Sequence, residues 1–526
     1  MQSPLDPEHE VVVLGGGPAG AAAASLLAQW GHSVLVLTRS GGAAGGLAES
    51  LPPSSIRLLE RIGWSEAVDA AGFIRSTGNT VWWGEEEGRV ESFSGGGLGY
   101  QVARGRLDPL LLALAERNGA QVSRDSSVRS VTQMGDIAEI CYEPPNSEVA
   151  AVIDRVRGPQ SNPIEAGRDG LTTVRARWVL DCTGRTGVVA RRGYRQHEEG
   201  VGTLAIVGAW RKPGGWALPD PTHTLVESYE DGWAWSVPVS EELRFFTVMV
   251  DPRRTEMSAG KDLGPMYSAE MNKAGHLATL LPAARMDSPP WACSASLYAA
   301  ERYADDGILL VGDAGSFLDP VTSFGVKKAL ASGWRAAVVA HTALVRDQMK
   351  GPAIDLFNTR ERLVHASYQD QSASVFREAA RQHEHPFWTV RSQGGASEAV
   401  DVDGDLDVGR LREDPEILSA FERLRASSSV DLSRAPETTF VTRPTIQGNE
   451  VVLEERICTP DFPSGVRFVR DVDLTQIVEH AGEHHQVPDL FEAYCGRAAP
   501  VTLPDFLGAL SLLLARGILV DQGGRT

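Results

Sequence analysis

Glu10-Val-Val-Val-Leu-Gly15-Gly16-Gly17-Pro18-Ala19-Gly20 sets three glycines at Gly-x-Gly-x-x-Gly spacing between an apolar run and an Ala-rich one. The pattern predicts a strand that turns sharply into a helix. Gly15 allows the tight turn, Gly17 lets the backbone approach a pyrophosphate, and Gly20 lets helix and strand pack closely. Pro18 and Ala19 complete a helix N-terminus whose unpaired N–H groups and partial positive charge suit phosphate. A second segment, Gly307-Ile-Leu-Leu-Val-Gly312-Asp313-Ala-Gly-Ser-Phe-Leu-Asp319-Pro320, again runs from an apolar strand into a Gly-Asp turn. Two such turns, far apart in the chain, point to FAD rather than NAD.

The supporting elements are legible around these turns. Gly31–Leu37 reads as the next strand, and its end is where an acid usually holds the ribose. Here Thr38 and Arg39 stand instead, offering a hydroxyl but no carboxylate. Leu107–Ala115 has helical periodicity, and Val174–Leu180 reads as a strand ending in Asp181-Cys-Thr-Gly184-Arg-Thr-Gly187. Thr203–Trp210, Thr222–Glu227, Gly232–Val239 and Leu243–Val250 read as a sheet, placing an inserted substrate domain at about 200–297. A long helix is expected from Gly325. Residues 391–446, Gly- and Asp-rich at their start, are expected to be linker or loop. From 447 to 526, three short amphipathic helices and a closing Arg516-Gly-Ile-Leu-Val strand suggest a winged-helix-like module. The expected fold class is thus α/β: a Rossmann-type domain with an inserted mixed sheet inside a core of residues 1–390, plus that module.

Composition narrows the function classes. The 526 residues are 42% hydrophobic and 23% charged, with a net charge of −19, which repels nucleic acid and anionic lipid. From Gln447 onward six arginines and no lysine face twelve acidic residues, a net of −6, the wrong sign for a DNA-reading winged helix. Five scattered cysteines without a C-x-x-C pair predict reduced thiols and a cytoplasmic protein. The acidic start is no signal peptide, and no uncharged apolar run reaches membrane-spanning length.

Metal patterns are weak. His480-Ala-Gly-Glu483-His484 spells H-x-x-E-H, but Gly482 interrupts the helix such ligands need. Asp401-Val-Asp403-Gly404-Asp405 has its glycine too early for a calcium loop, and Arg412 occupies the twelfth position. His383 and His385 lack a third ligand at a recognisable spacing. Lys327 and Lys328 open the helix after Gly325; one of them could neutralise a flavin phosphate or reduced ring, although lysines at such positions usually face solvent.

Over roughly residues 10 to 390 the chain resembles the flavin-dependent halogenase and FAD-dependent monooxygenase superfamily, with its para-hydroxybenzoate-hydroxylase-like fold. Glu49-Ser50-Leu51-Pro52-Pro53 is similar to a segment that lies beside the flavin there. Arg104 matches an arginine set against the cofactor, Gly184 belongs to the matching Asp-x-x-Gly turn, and Asp313 matches the aspartate that binds the ribityl chain. Pro320, Gly325 and Val326 match the loop at the flavin ring, and Gly232-Trp233-Ala-Trp235-Ser-Val237-Pro238 matches the W-x-W-x-I-P sequence of halogenases. The indoles at i and i+2 share one strand face, as core packing or as a substrate wall.

Two departures from halogenases stand out. Ser76, in Arg75-Ser76-Thr77-Gly78, occupies the place of their lysine and cannot form a haloamine. Phe324 replaces the hydroxyl residue that precedes the glycine at their halide site. The resemblance then implies hydroxylation of an aromatic substrate, an indole or phenol, through a flavin C4a-hydroperoxide. Trp82, Trp83, Trp235 and Phe324 are the expected substrate contacts, with no metal and no general base named. Halogenation and prenyl-reductase-like chemistry are the alternatives. Electrons would come from NAD(P)H or a partner flavin reductase. Halogenase-like proteins without the lysine include hydroxylases of a peptidyl tryptophan, and the acidic C-terminal module would then dock a peptide, or else act as a lid or oligomer contact.

Overall fold

The computed structural model describes residues 7–39, 46–84, 87–145, 170–197, 202–255, 262–393, 414–427, 429–462, 465–498 and 500–522. The chain divides into two compact units, Met1–Ser397 and Glu398–Thr526.

The first unit is built on an eight-stranded sheet. His9–Leu14 lies at its centre, parallel to Val34–Leu37 on one side and to Thr172–Asp181 on the other. Ile308–Leu310 extends the sheet beyond Thr172–Asp181, also in parallel. Such strands are covered on both faces, which is why Val11 to Leu14 and Leu309 to Val311 are fully buried apolar runs. The helix Pro18–Gln29 leaves the first strand and buries Ala19 and the four alanines from Ala21 to Ala24. It packs against the helix Gly325–Val345 so closely that a Cβ on Gly333 would sit 2.4 Å from the Ala19 carbonyl oxygen. Any larger residue at 333 would push the two helices apart.

A second eight-stranded sheet takes the strands Leu204–Arg211, Thr224–Tyr229, Gly232–Pro238 and Leu243–Val250. It also recruits Gly78–Trp82, parallel to Thr224–Tyr229, and Arg89–Ser92, both from well before the insertion predicted at 200–297. Short strands carry no periodicity long enough to show that pairing. Alternation along this sheet makes two cores. Ile206, Ala234 and Val248 face the helix Leu263–Lys273. Ala205, Trp233 and Met249 face Phe376, Phe387 and Trp388.

The structured part of the second unit begins before residue 447, inside the stretch predicted as linker. A helix Pro415–Ala426, capped by Asp414, buries Ile417, Ala420 and Leu424. A hairpin follows, Thr439–Gln447 with Glu450–Cys458. Only three apolar positions in twelve face inward on that helix, too sparse a stripe to stand out beside the Asp-rich stretch before it. Helices Leu474–His480, Val487–Arg497 and Leu503–Ala515 complete the core, and Leu519–Asp521 pairs with Leu432–Arg434. The helix ends at His480, whose ring meets Glu483 at 3.2 Å. The Asp401–Asp405 loop lies outside the described residues. Among the described residues no helix is long and apolar enough to cross a membrane.

Candidate active site

The two glycine turns meet. A Cβ on Gly312 would lie 3.3 Å from Ala19 Cβ, and one on Gly15 would lie 2.5 Å from the Cys182 carbonyl oxygen. Both positions have positive φ, +62° at Gly312 and +98° at Gly15, where side chains are strained. Gly20 stands beneath Gly15, where a Cβ would come within 1.9 Å of the Gly15 carbonyl oxygen. Thus Gly15, Gly20, Gly184 and Gly312 surround one cradle formed by the ends of three parallel strands. The helix from Pro18 has Gly17 as its N-cap, and neither a side-chain cap nor a first-turn acid occupies its N–H groups. The Gly325 helix likewise begins without a side-chain cap. Two uncapped helix ends in one cradle fit the phosphates and ring of FAD.

Around the first turn the side chains form a charge network. Arg104 starts the helix Arg104–Arg117 and donates from Nε and Nη2 to Asp108 at 2.7 and 2.8 Å. Its Nη1 reaches Glu49 at 3.4 Å, and a Cβ on Gly17 would point at the same guanidinium, 3.8 Å away. Burial pushes the Glu49 carboxyl up, opposed by Arg104. Burial also works against the Arg104 charge, but Asp108 and Glu49 outweigh it and raise its pKa. Ser50, next to Glu49, pairs with Gln101 across the short sheet. The Thr38 hydroxyl accepts the Gly16 N–H at 3.2 Å, bracing the turn, while Arg39 reaches Thr186 at 3.4 Å.

The Asp181 turn is held by a fully buried carboxylate. Asp181 Oδ1 accepts from Thr183 N and Oγ1, at 3.1 and 2.6 Å, and Oδ2 from the N–H groups of Val189 and Ala190, at 2.7 and 3.0 Å. Arg195 and Tyr298, which belong to no recognised motif, stitch this turn to the second one. Arg195 donates to the carbonyls of Gly184, Arg185, Asp313 and Ala314, and the Tyr298 hydroxyl donates to the Asp313 carbonyl at 2.6 Å. Long-range backbone recognition of this kind leaves no local spacing to find.

Past Asp313, the Asp319 carboxylate caps a 3₁₀ turn at Pro320–Thr322, and Ser323 takes positive φ to launch the Gly325 helix. Gly325 is exposed, with open space where a side chain would be, whereas Val326 packs inward. Phe324 stacks obliquely on Tyr368, ring centres 5.0 Å apart.

The four expected substrate contacts are not one group. Trp83 and Trp235 both join Trp233: Trp83 meets it edge-on at 5.9 Å and Trp235 stacks on it at 4.9 Å. Phe317 and Val321, which flank the Asp319-Pro320 turn, pack on the same cluster. Trp82 lies with the other core, stacked on His276 at 4.8 Å. It is therefore separated from Trp83 and Trp235 by the sheet, because adjacent strand residues point oppositely. His383 and His385, likewise, have local duties: His383 meets Ser228 at 3.1 Å, and His385 Nδ1 accepts the Phe387 N–H.

Fold and site together define an FAD-dependent oxidoreductase. Residues 8–335 match the FAD binding domain family, and the chain belongs to it, within the superfamily of flavin-dependent halogenases and FAD monooxygenases. A flavin-dependent halogenase, armH1 of Armillaria mellea, is 26% identical over 385 residues, covering 68% of this chain and 70% of that one. The crystal structure of CmlS, a flavin-dependent halogenase, superposes with a TM-score of 0.73 at 21% identity, covering 98% of this chain and 96% of its own. The peptidyl tryptophan dihydroxylase QhpG gives a TM-score of 0.66 at 20% identity, over 97% of this chain and 99% of its own.

Proposed function

We propose that the chain is an FAD-dependent monooxygenase that hydroxylates an electron-rich aromatic ring, an indole or a phenol. Reduced FAD supplies the oxygen chemistry. The chain's part is to hold the cofactor through the glycine cradle, Arg104 and Asp313, and to keep water from the reacting ring with the Trp83, Trp233 and Trp235 wall.

The observation that carries this reading is Ser76. At the place of the halogenase lysine, its fully buried hydroxyl donates to the Gly78 carbonyl at 3.1 Å. Neighbouring Arg75 is tied to Asp69 at 2.6 Å and lies over the Tyr100 ring. Neither side chain offers an amine to relay an oxidised halide. Phe324 supports the same reading, since a phenyl ring gives an anion no donor.

The halogenase relatives favour halogenation as a second reading. The two separate in one assay: holoenzyme, NADH, a flavin reductase, isotopically labelled O2, chloride and bromide, with phenols, indoles, free tryptophan and tryptophan peptides. Label in a hydroxylated product supports the proposal, and a halogenated product overturns it. QhpG's likeness across both units supports including peptides, for which the acidic second unit would suit a basic substrate. Stopped-flow bleaching of the flavin by NADH or NADPH alone distinguishes direct reduction from supply by a partner reductase.

A further inference from the structure

We propose that Lys328 is a positioning residue of the flavin site: a buried ammonium that fixes the Asp313 carboxylate and keeps a positive charge within reach of the cofactor. This rests on reading Asp313 as a contact to FAD. The Lys328 side chain is 0% exposed. Its Nζ donates to Asp313 Oδ1 at 3.1 Å and to the Ser316 carbonyl.

The position is costly in two ways. It lies in the first turn of the Gly325–Val345 helix, where the macrodipole disfavours a cation, and it removes an ammonium from water. On the helix Lys350–Ala380 its charge is felt by His365. His365 there is pulled down to about 4, first by burial and then by the Lys328 charge, and so is neutral at pH 7. Among the described residues its one ion pair is with Asp313, whose side chain is 30% exposed. Asp313 also feels Arg104 and Arg185. The Lys328 bond uses Oδ1, and Oδ2 has no hydrogen bond among the described residues, leaving a carboxyl oxygen to accept from a hydroxyl of the cofactor.

Lys328 does not act by itself. Ser332, one helical turn later, accepts the Gly312 N–H at 2.8 Å. One face of the helix therefore holds both residues of the Gly312-Asp313 turn, Ser332 its backbone and Lys328 its charge. Sealed beneath that turn, Lys328 cannot replace the amine missing at Ser76. Its charge acts on the bound flavin from a fixed place, and a fixed cation favours the reduced, anionic state.

The test uses the full chain with FAD, reading affinity by fluorescence titration of apoprotein and the midpoint potential of the bound flavin by dye-coupled reduction. Asp313→Asn leaves the lysine charge uncompensated; FAD binds about tenfold more weakly and the potential moves positive. Lys328→Met moves the potential negative of wild type. Asp313→Asn/Lys328→Met removes both charges, so it folds even where Lys328→Met alone does not, and its potential lies negative of Asp313→Asn. A double variant with the Asp313→Asn potential overturns the role of Lys328, leaving it a structural tie. Wild-type affinity and potential in Asp313→Asn overturn the Asp313 contact instead, and the proposal with it.

Discussion

Trp82 and Trp83 are adjacent in sequence but belong to different cores of the first unit: Trp82 stacks on His276, and Trp83 meets Trp388 edge-on with ring centres 5.4 Å apart. Trp83 is 1% exposed and its indole N–H donates to the Val375 carbonyl at 2.8 Å. Trp83→Ala is expected to cost about 3–5 kcal/mol of stability, whereas half-buried Trp82 loses less on the same change. Urea unfolding of both variants measures the difference. Trp235→Ala, at a partly buried place on the Trp83 side, should alter turnover of an aromatic substrate more than it alters the unfolding midpoint.

Asp181 accepts four hydrogen bonds at 0% exposure. Asp181→Ala strands those donors, and a loss of about 3 kcal/mol or more is expected. Asp181→Asn keeps part of the network and should lose less. Thermal unfolding of the apoprotein reads this without involving cofactor affinity.

Arg104 bridges Glu49 and Asp108 under the first glycine turn. Arg104→Met leaves two carboxylates close together where the pyrophosphate would bind, so FAD affinity is expected to fall by about 1.5–3 kcal/mol, some tenfold to hundredfold. Arg104→Lys cannot make the forked contact to Asp108 and should recover little of it. Titration of apoprotein with FAD gives both values.

His365 supplies a pH dependence. Burial first, then the Lys328 charge, lowers its pKa from 6.5 to about 4. Between those values the unfolded chain binds the proton and the folded one does not. Titration of this group therefore leaves stability untouched above pH 6.5 and lowers it as pH falls toward 4. His365→Gln should flatten that part of the melting-temperature profile without changing it at pH 8.

Much of the nucleotide-binding unit was legible because its signals are local. Glycines 15, 17 and 20, the apolar strand before them and the Gly312-Asp313 turn each follow from backbone demands within a few residues. The four long strands between residues 203 and 250 showed as alternation for the same reason. Ser76 and Phe324, on which the hydroxylation proposal rests, were likewise visible as substitutions inside recognised segments.

What the chain's order of residues determined by itself was the class of cofactor and the strand-turn-helix units that receive it. Only the tertiary structure decided that Arg195 and Tyr298 bind the turns together, since their partners are main-chain carbonyls up to 119 residues away and carry no residue identity. It also decided that Lys328 is buried while neighbouring Lys327 lies over the Phe324 ring. A lysine at a helix start reads as solvent-facing until the element packed against it is known. Which of two adjacent tryptophans packs on the side of Phe317 and Val321 was settled the same way, by the register of a strand against partners more than a hundred residues along the chain.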